Sequence, residues 1–219
     1  MSLKFVCMRC NDCCYFEKPE EMPILLPYEV EYLKLLSSRL GVRLKFERLQ
    51  SGFYKWIING YCPFYSQEKR GCLIHGEKPL ACRMYPLLVN LSDKTLLLSA
   101  KCRWVRENAD KVSIIAEGLA QDVFLHELKA VEELFEALYY TSRGLIVLAF
   151  EAGDNRVLNH LVEECAVVKT YQSNLVKNLY FALLVDCSVE KALELIEKSG
   201  GKVVYYAEIR EELFSQLLE

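Results

Sequence analysis

Four cysteines fall within eight residues: Cys7-Met8-Arg9-Cys10-Asn11-Asp12-Cys13-Cys14. Two Cys-x2-Cys steps chained in this way let neighbouring thiolates reach one metal ion. The polar Asn11-Asp12 step suits the turn that brings them round. Cysteines this dense cannot all face one ligand from a regular helix, so the segment predicts a tight loop. Four more follow in separate contexts: Cys62 before Pro63, Cys72 before Leu73-Ile74, Cys82 before Arg83 and Cys102 before Arg103. All eight are candidate metal ligands.

Whether cysteines mean disulfides or metal depends on the compartment. The opening residues run straight into Cys7, with no apolar stretch and cleavage site of a signal peptide. No run of about 18 apolar residues suggests a membrane span. The expected location is therefore cytoplasmic, where clustered cysteines are more often ligands than disulfides, hyperthermophile cytosols excepted. Cys165 and Cys187 stand alone in contexts that read as helical, and are expected to be buried, inert thiols.

Charge divides along the chain as the cysteines do. Residues 1–106 carry 17 Lys+Arg against 10 Asp+Glu, and residues 107–219 carry 10 against 20. The basic half reads either as a surface for nucleic acid or an acidic protein, or as cations that offset metal-bound thiolates.

With these residues laid out, the chain resembles the YkgJ-like CxxCxxCC cysteine-cluster family of zinc- or iron-chelating domains. The resemblance rests on Cys7-x2-Cys10-x2-Cys13-Cys14, on Tyr61-Cys62-Pro63-Phe64, and on the run from Cys72 through His75-Gly76-Glu77-Lys78-Pro79 to Cys82-Arg83-Met84-Tyr85-Pro86. His75 and Lys78 stand where the family usually has tyrosine and arginine. The resemblance implies a metal site over about residues 7–102 and says little about residues 107–219. Eight cysteines would fill two all-cysteine zinc sites. Alternatively, three close cysteines with a remote Cys-Pro are similar to the bacterial ferredoxin arrangement, which would place Cys7, Cys10, Cys13 and Cys62 on one iron–sulfur cluster. The same cluster type in flagellin lysine methylases, which look like distant relatives, favours iron–sulfur slightly over zinc.

The elements that must hold these residues read as α+β. At 52% hydrophobic and 26% charged, the chain can bury a core without covalent staples. Pro27 suits the first turn of a helix closed by Gly41, with Val30, Leu33 and Leu36–Leu40 as its apolar stripe. Residues 42–47 alternate as a strand. Residues 53–58 are aromatic and β-branched and end at an Asn59-Gly60 turn, and 87–91 with 95–100 form a hairpin. Residues 105–140 carry apolar residues at three- and four-residue steps, Ile115 and Leu119 among them. Leu145–Phe150 is a buried strand or helix, and 155–185 reads as one long helix. Ser188 caps another that Gly200-Gly201 stops, and 207–218 is amphipathic. The expected organisation is a metal-binding module at 1–104 and a carboxy-terminal helical bundle at 105–219.

Beside the cysteines, His75 is either a nitrogen ligand or a hydrogen-bonding partner. Arg83 either binds the cofactor, donating to cluster sulfur or to an anionic substrate, or forms a surface salt bridge. His126 and His160 have no paired ligand at useful spacing. There is no phosphate loop, His-Glu-x-x-His, Gly-x-Ser-x-Gly or radical-enzyme Cys-x3-Cys-x2-Cys. Three functions follow: a redox or structural metal-binding protein, an enzyme using the centre for a methyl transfer, or a zinc-stabilised adaptor.

Overall fold

The helix that starts at Pro27 is α1 (Pro27–Leu40) in this computed structural model, which describes residues 3–113 and 123–218. Its start is fixed by the buried Glu29 carboxylate, which accepts from the Leu26 N–H at 2.9 Å. Its end is fixed by Gly41, whose φ of +67° suits a residue without a Cβ. Val30, Leu33 and Leu36 are buried, as their spacing requires. The chain divides into two compact units. One comprises Met1–Leu25 with Val42–Glu136, the other Leu26–Gly41 with Ala137–Glu219.

The first unit is made of very short strands. β1 (Tyr15–Phe16) pairs with β5 (Gly60–Tyr61), and β2 (Ile24–Leu25) and β3 (Phe46–Arg48) flank β4 (Tyr54–Trp56). β6 (Tyr65–Ser66) pairs with β7 (Gly71–Cys72), and β8 (Leu87–Asn90) forms the expected hairpin with β9 (Thr95–Leu98). Two-residue ladders are too small to stand alone. Helices α2 (Leu80–Arg83), α3 (Arg103–Glu107) and α4 (Ala109–Ser113) are equally short. Apolar anchoring comes from a cluster that includes Leu87, Cys102, Trp104, Val105, Phe124 and Val131. Phe5 reaches into it, its ring 5.2 Å from Trp104 and 5.5 Å from Phe124, while its N–H donates to the Val123 carbonyl. The chain is thus pinned two residues before Cys7.

The expected carboxy-terminal helical bundle is not what forms. After α5 (Leu125–Arg143), the second unit is a four-stranded antiparallel sheet with helices. β10 (Leu145–Glu151), β11 (Ala166–Gln172), β12 (Leu179–Val185) and β13 (Lys202–Ile209) lie in the order β11-β12-β10-β13. With α6 (Arg156–Glu164) after β10 and α7 (Val189–Lys198) after β12, this is the βαββαβ split arrangement of ferredoxin-like folds. One sheet face packs Ile146, Leu148, Phe150, Ala182 and Leu184 against Val157 and Leu161 of α6 and Ala192 and Ile196 of α7. On the other, the Phe181 ring lies 5.0 Å from Tyr32 of α1.

Covering both faces explains the misreading. β10 and β12 are buried at nearly every position, so they carry no period-2 alternation to distinguish them from buried helix. Residues 155–185, read as one helix, break into α6, β11 and β12. The signals were the β-branched run Val167-Val168-Lys169-Thr170 and the Ser173-Asn174 turn. The 207–218 segment splits into the end of β13 and a 3-10 turn at Glu212–Leu217. Residues 105–140 form α3, α4 and α5, with Ile115 and Leu119 outside the described residues. The α7 cap holds: the Lys191 N–H donates to Ser188 Oγ at 3.1 Å.

Cys165 and Cys187 are not isolated thiols. Their sulfurs are bonded, 2.09 Å apart. The bond closes at one end of the β11–β12 pair, where Ala166 lies opposite Val185: Cys165 stands one residue before Ala166 and Cys187 two after Val185, their Cα atoms 5.2 Å apart. Helical readings of both segments hid this.

Two glycines give a stability test. A Cβ on Gly201 would meet Ile196 Cγ2 at 2.8 Å and Val157 Cγ2 at 3.2 Å, where α6, α7 and the start of β13 converge. A Cβ on Gly153 would meet nothing within 4 Å. Gly201→Ala should destabilise by roughly 1–3 kcal/mol, the usual cost of overpacking. Gly153→Ala should change stability by at most about 0.5 kcal/mol, a typical surface effect. Urea unfolding monitored by circular dichroism reads both.

Candidate metal centre

Backbone pairing brings the cysteine-bearing segments together. From Leu3 to Asn11 the chain is irregular, then it turns through a 3-10 helix at Asp12–Cys14, its first bond running from the Cys14 N–H to the Asn11 carbonyl. Asp12 holds that turn to α3: its carboxylate accepts from Arg106 at 2.9 Å and faces Arg103 at 3.7 Å. The Cys62 N–H donates to the Cys14 carbonyl at 2.7 Å, continuing the β1–β5 pairing. The Tyr65 N–H donates to the Cys62 carbonyl, and Tyr65 faces Cys72 across the β6–β7 ladder. Cys82 sits in α2, and Cys102 is the N-cap residue just before α3.

The result is one cavity of about 490 Å³ whose wall contains Cys7, Cys10, Cys13, Cys14, Cys62, Cys72 and Cys82. Cys102 is buried and not in that wall, but near enough to Cys10 and Cys13 to feel their charge. The Cys13 and Cys14 sulfurs are 3.8 Å apart. Among the described residues no three His, Cys, Asp or Glu side chains already stand in coordination geometry. What the fold has set is the position of the segments.

Electrostatics make this a strained collection of thiols. The Cys14 thiol donates to Cys13, which with the nearby Lys78 ammonium brings Cys13 down to about 7. Burial pushes Cys62 up to about 12, aided by Cys72 and Cys13. Burial also raises Cys10, Cys72, Cys82 and Cys102, while Cys14 is raised by its bond to Cys13 and then by burial. Without a cation, most of these groups hold their protons at neutral pH. A metal ion or cluster replaces those protons, and soft thiolates suit zinc and iron–sulfur chemistry alike. On donor chemistry the residues fit either group.

The neighbouring candidates divide. His75 is exposed at the cavity wall in a 3-10 turn, and burial of its ring, then Lys78 and Arg9, lower its pKa towards the neutral, ligand-competent imidazole. Arg83 is outside the cavity wall and forms a two-pronged pair with Glu133, at 2.5 and 2.7 Å. His160 pairs with Ser199 Oγ at 2.6 Å, which is structural. Cys165 and Cys187 are in the other unit. Sequence reasoning missed the clamp on Asp12, whose signal was an acid between cysteines answered by arginines after Cys102. It also missed Lys78 as a counter-charge. The cavity continues past the sulfurs along Met22, Pro23, Ile24, Ile58 and Leu88, and Tyr85 and Trp56 also border it.

Residues 6–111 match the family model described as "CxxCxxCC: Putative zinc- or iron-chelating domain". No curated protein and no solved structure matches the chain.

The raised thiols set a pH dependence. A thiol whose folded pKa exceeds its unfolded value stabilises the fold below the unfolded value and loses that contribution as pH rises through the folded one. For Cys62 that window runs from 9.0, the ordinary value, to about 12. The metal-free protein should therefore melt several degrees lower at about pH 10 than at about pH 8, each pH unit being worth ~1.4 kcal/mol per raised thiol. The metal-loaded protein, its ligand thiols already deprotonated, should instead melt no lower at about pH 10 than at about pH 8, because only its unfolded chain loses protons over that range. Calorimetry at matched ionic strength checks both.

Proposed function

With residues 6–111 a CxxCxxCC domain, we propose that the cavity holds a cysteine-ligated iron–sulfur cluster serving a redox role. One observation carries this reading: seven thiols from four chain segments surround a single open cavity. Structural zinc sites are closed tetrahedra with sulfur about 2.3 Å from the metal. A common, open cavity with more than four thiols suits a multi-iron cluster better.

The ligands we propose are Cys13, Cys62, Cys72 and Cys82, one from each segment. Three of them bear on each other's charge: Cys13 and Cys72 both raise Cys62, and those three all raise Cys82. This departs from the ferredoxin-type set of Cys7, Cys10, Cys13 and Cys62. Cys7, Cys10, Cys14 and Cys102 flank the set as reserve or second-site thiols. Arg83, engaged with Glu133, shapes the segment after Cys82 in this reading.

A second reading has a specific support. The apolar continuation along Ile24, Ile58 and Leu88 gives a substrate room beside the centre. An enzyme using the centre, such as one transferring methyl groups, would need that room.

Anaerobic purification with iron, sulfide and zinc analysis tests the cofactor. Iron and sulfide in equal amounts, with broad visible absorption bleached by dithionite, is the expected result. A colourless protein that takes up zinc alone after reconstitution with iron and sulfide would overturn it. Cys72→Ser and Cys82→Ser should each lose most of the bound metal, whereas Cys7→Ser should retain it. The reverse pattern would restore the ferredoxin-type set.

A further inference from the structure

Tyr85 is the one titratable side chain at the cavity wall, among the described residues, whose polar atom is both shut from water and without a hydrogen-bond partner. Ser99 stands beside its hydroxyl, outside hydrogen-bond geometry. The sulfurs of Cys102, Cys13 and Cys10 also bear on it electrostatically. Buried hydroxyls in native structures are almost always paired, so an orphan one needs an acceptor. A protonated thiol is a weak acceptor, and the neighbouring thiols are mostly protonated in the metal-free arrangement. A metal-bound thiolate or a cluster sulfide is a charged, far better one.

Two features fix the ring where this contact can form. It follows α2, which carries Cys82, by two residues. The Ser99 N–H donates to the Pro86 carbonyl at 2.9 Å, tying the segment to β9 and so towards Cys102. The phenol is therefore held between two of the cysteine-bearing segments by backbone bonds that do not involve its own oxygen.

We infer that the Tyr85 hydroxyl donates a hydrogen bond to a sulfur of the bound metal centre, making it a positioning residue that tightens metal retention. The inference rests on the cysteine cavity binding metal but not on the metal being iron. No bond is made or broken and no proton is transferred; the phenol stays neutral throughout.

Tyr85→Phe removes the oxygen and keeps the ring, and Ser99→Ala controls for the neighbouring Ser99 hydroxyl. Purified full-length protein is loaded with Zn2+, and its release to excess chelator is timed. The same variants are melted without metal, and their Co2+ forms are read by thiolate-to-metal charge-transfer absorption. Loss of a group that hydrogen-bonds a ligand typically weakens metal binding by about 10–100-fold. Tyr85→Phe should therefore release Zn2+ at least several-fold faster and shift the Co2+ charge-transfer band. Its metal-free melting point should not fall, because an unpaired hydroxyl has been removed. Ser99→Ala should change neither release nor band. Unchanged release in Tyr85→Phe, with wild type holding metal, would overturn this inference and leave the metal reading standing. Equal loss of stability with and without metal would also overturn it, by making the hydroxyl structural. A wild type that binds neither Zn2+ nor Co2+ would overturn both.

Discussion

Thiols crowded into a partly buried cavity can be neutral by protonation or neutral by coordination, but they cannot all be bare thiolates. That constraint governs the first unit. Desolvation and mutual repulsion hold the protons on Cys62, Cys72 and Cys82, while Cys13, bonded by Cys14 and near Lys78, is drawn down to about 7. A divalent cation or a cluster relieves every one of these terms together, because it supplies positive charge where four segments converge. Lys78 and the arginines on Asp12 offset only part of that charge from outside.

The same constraint bears on stability. The first unit has strands of two to four residues and helices of four or five ahead of α5, so its backbone ladders contribute little cooperative strength. Its apolar cluster around Trp104 and Phe124 fixes the Phe5 end and the Cys102 end of the cysteine region. The segments between, bearing Cys62, Cys72 and Cys82, are held by two-residue ladders, single hydrogen bonds and the buried Phe64, Ile74 and Leu80 side chains. A bound metal would cross-link those segments directly, which is how small cysteine modules ordinarily acquire rigidity. The second unit has no such need. The central strands β10 and β12 of its sheet are buried on both faces, and the sheet shares a continuous core with α6 and α7 from Ile146 to Ile196. A βαββαβ arrangement hosts many unrelated activities, so it assigns none here.

Among the described residues no helix is long and apolar enough to cross a membrane, in keeping with the reading of the sequence. The basic surplus of the first 106 residues is partly accounted for within the structure. Arg83 pairs with Glu133, Lys101 with Glu21, Arg106 with Asp12, and Lys78 faces the sulfurs. Compensation of local negative charge thus takes up several of the cations that a surface for acidic partners would have required.

The sequence by itself determined the chemistry of the site. Spacing of Cys7–Cys14 and the residues around Cys62, Cys72 and Cys82 marked the segment that the zinc- or iron-chelating family model also matches, because ligand type and local turn geometry are short-range properties. It also determined α1 and the cap on α7, since Pro27, Gly41 and Ser188 act on the backbone within a turn of themselves. Tertiary structure decided the rest. Which thiols meet depends on pairings between segments tens of residues apart, such as Cys14 with Cys62. Whether Leu145–Phe150 and Leu179–Val185 are strand or helix was settled by burial on both faces, which erases the alternation that would have revealed a sheet. The Cys165–Cys187 bond depends on the β11–β12 pairing, which brings the two flanking segments together. The cysteines were legible one by one, and the cavity they share was not, because it exists only where the chain returns to itself.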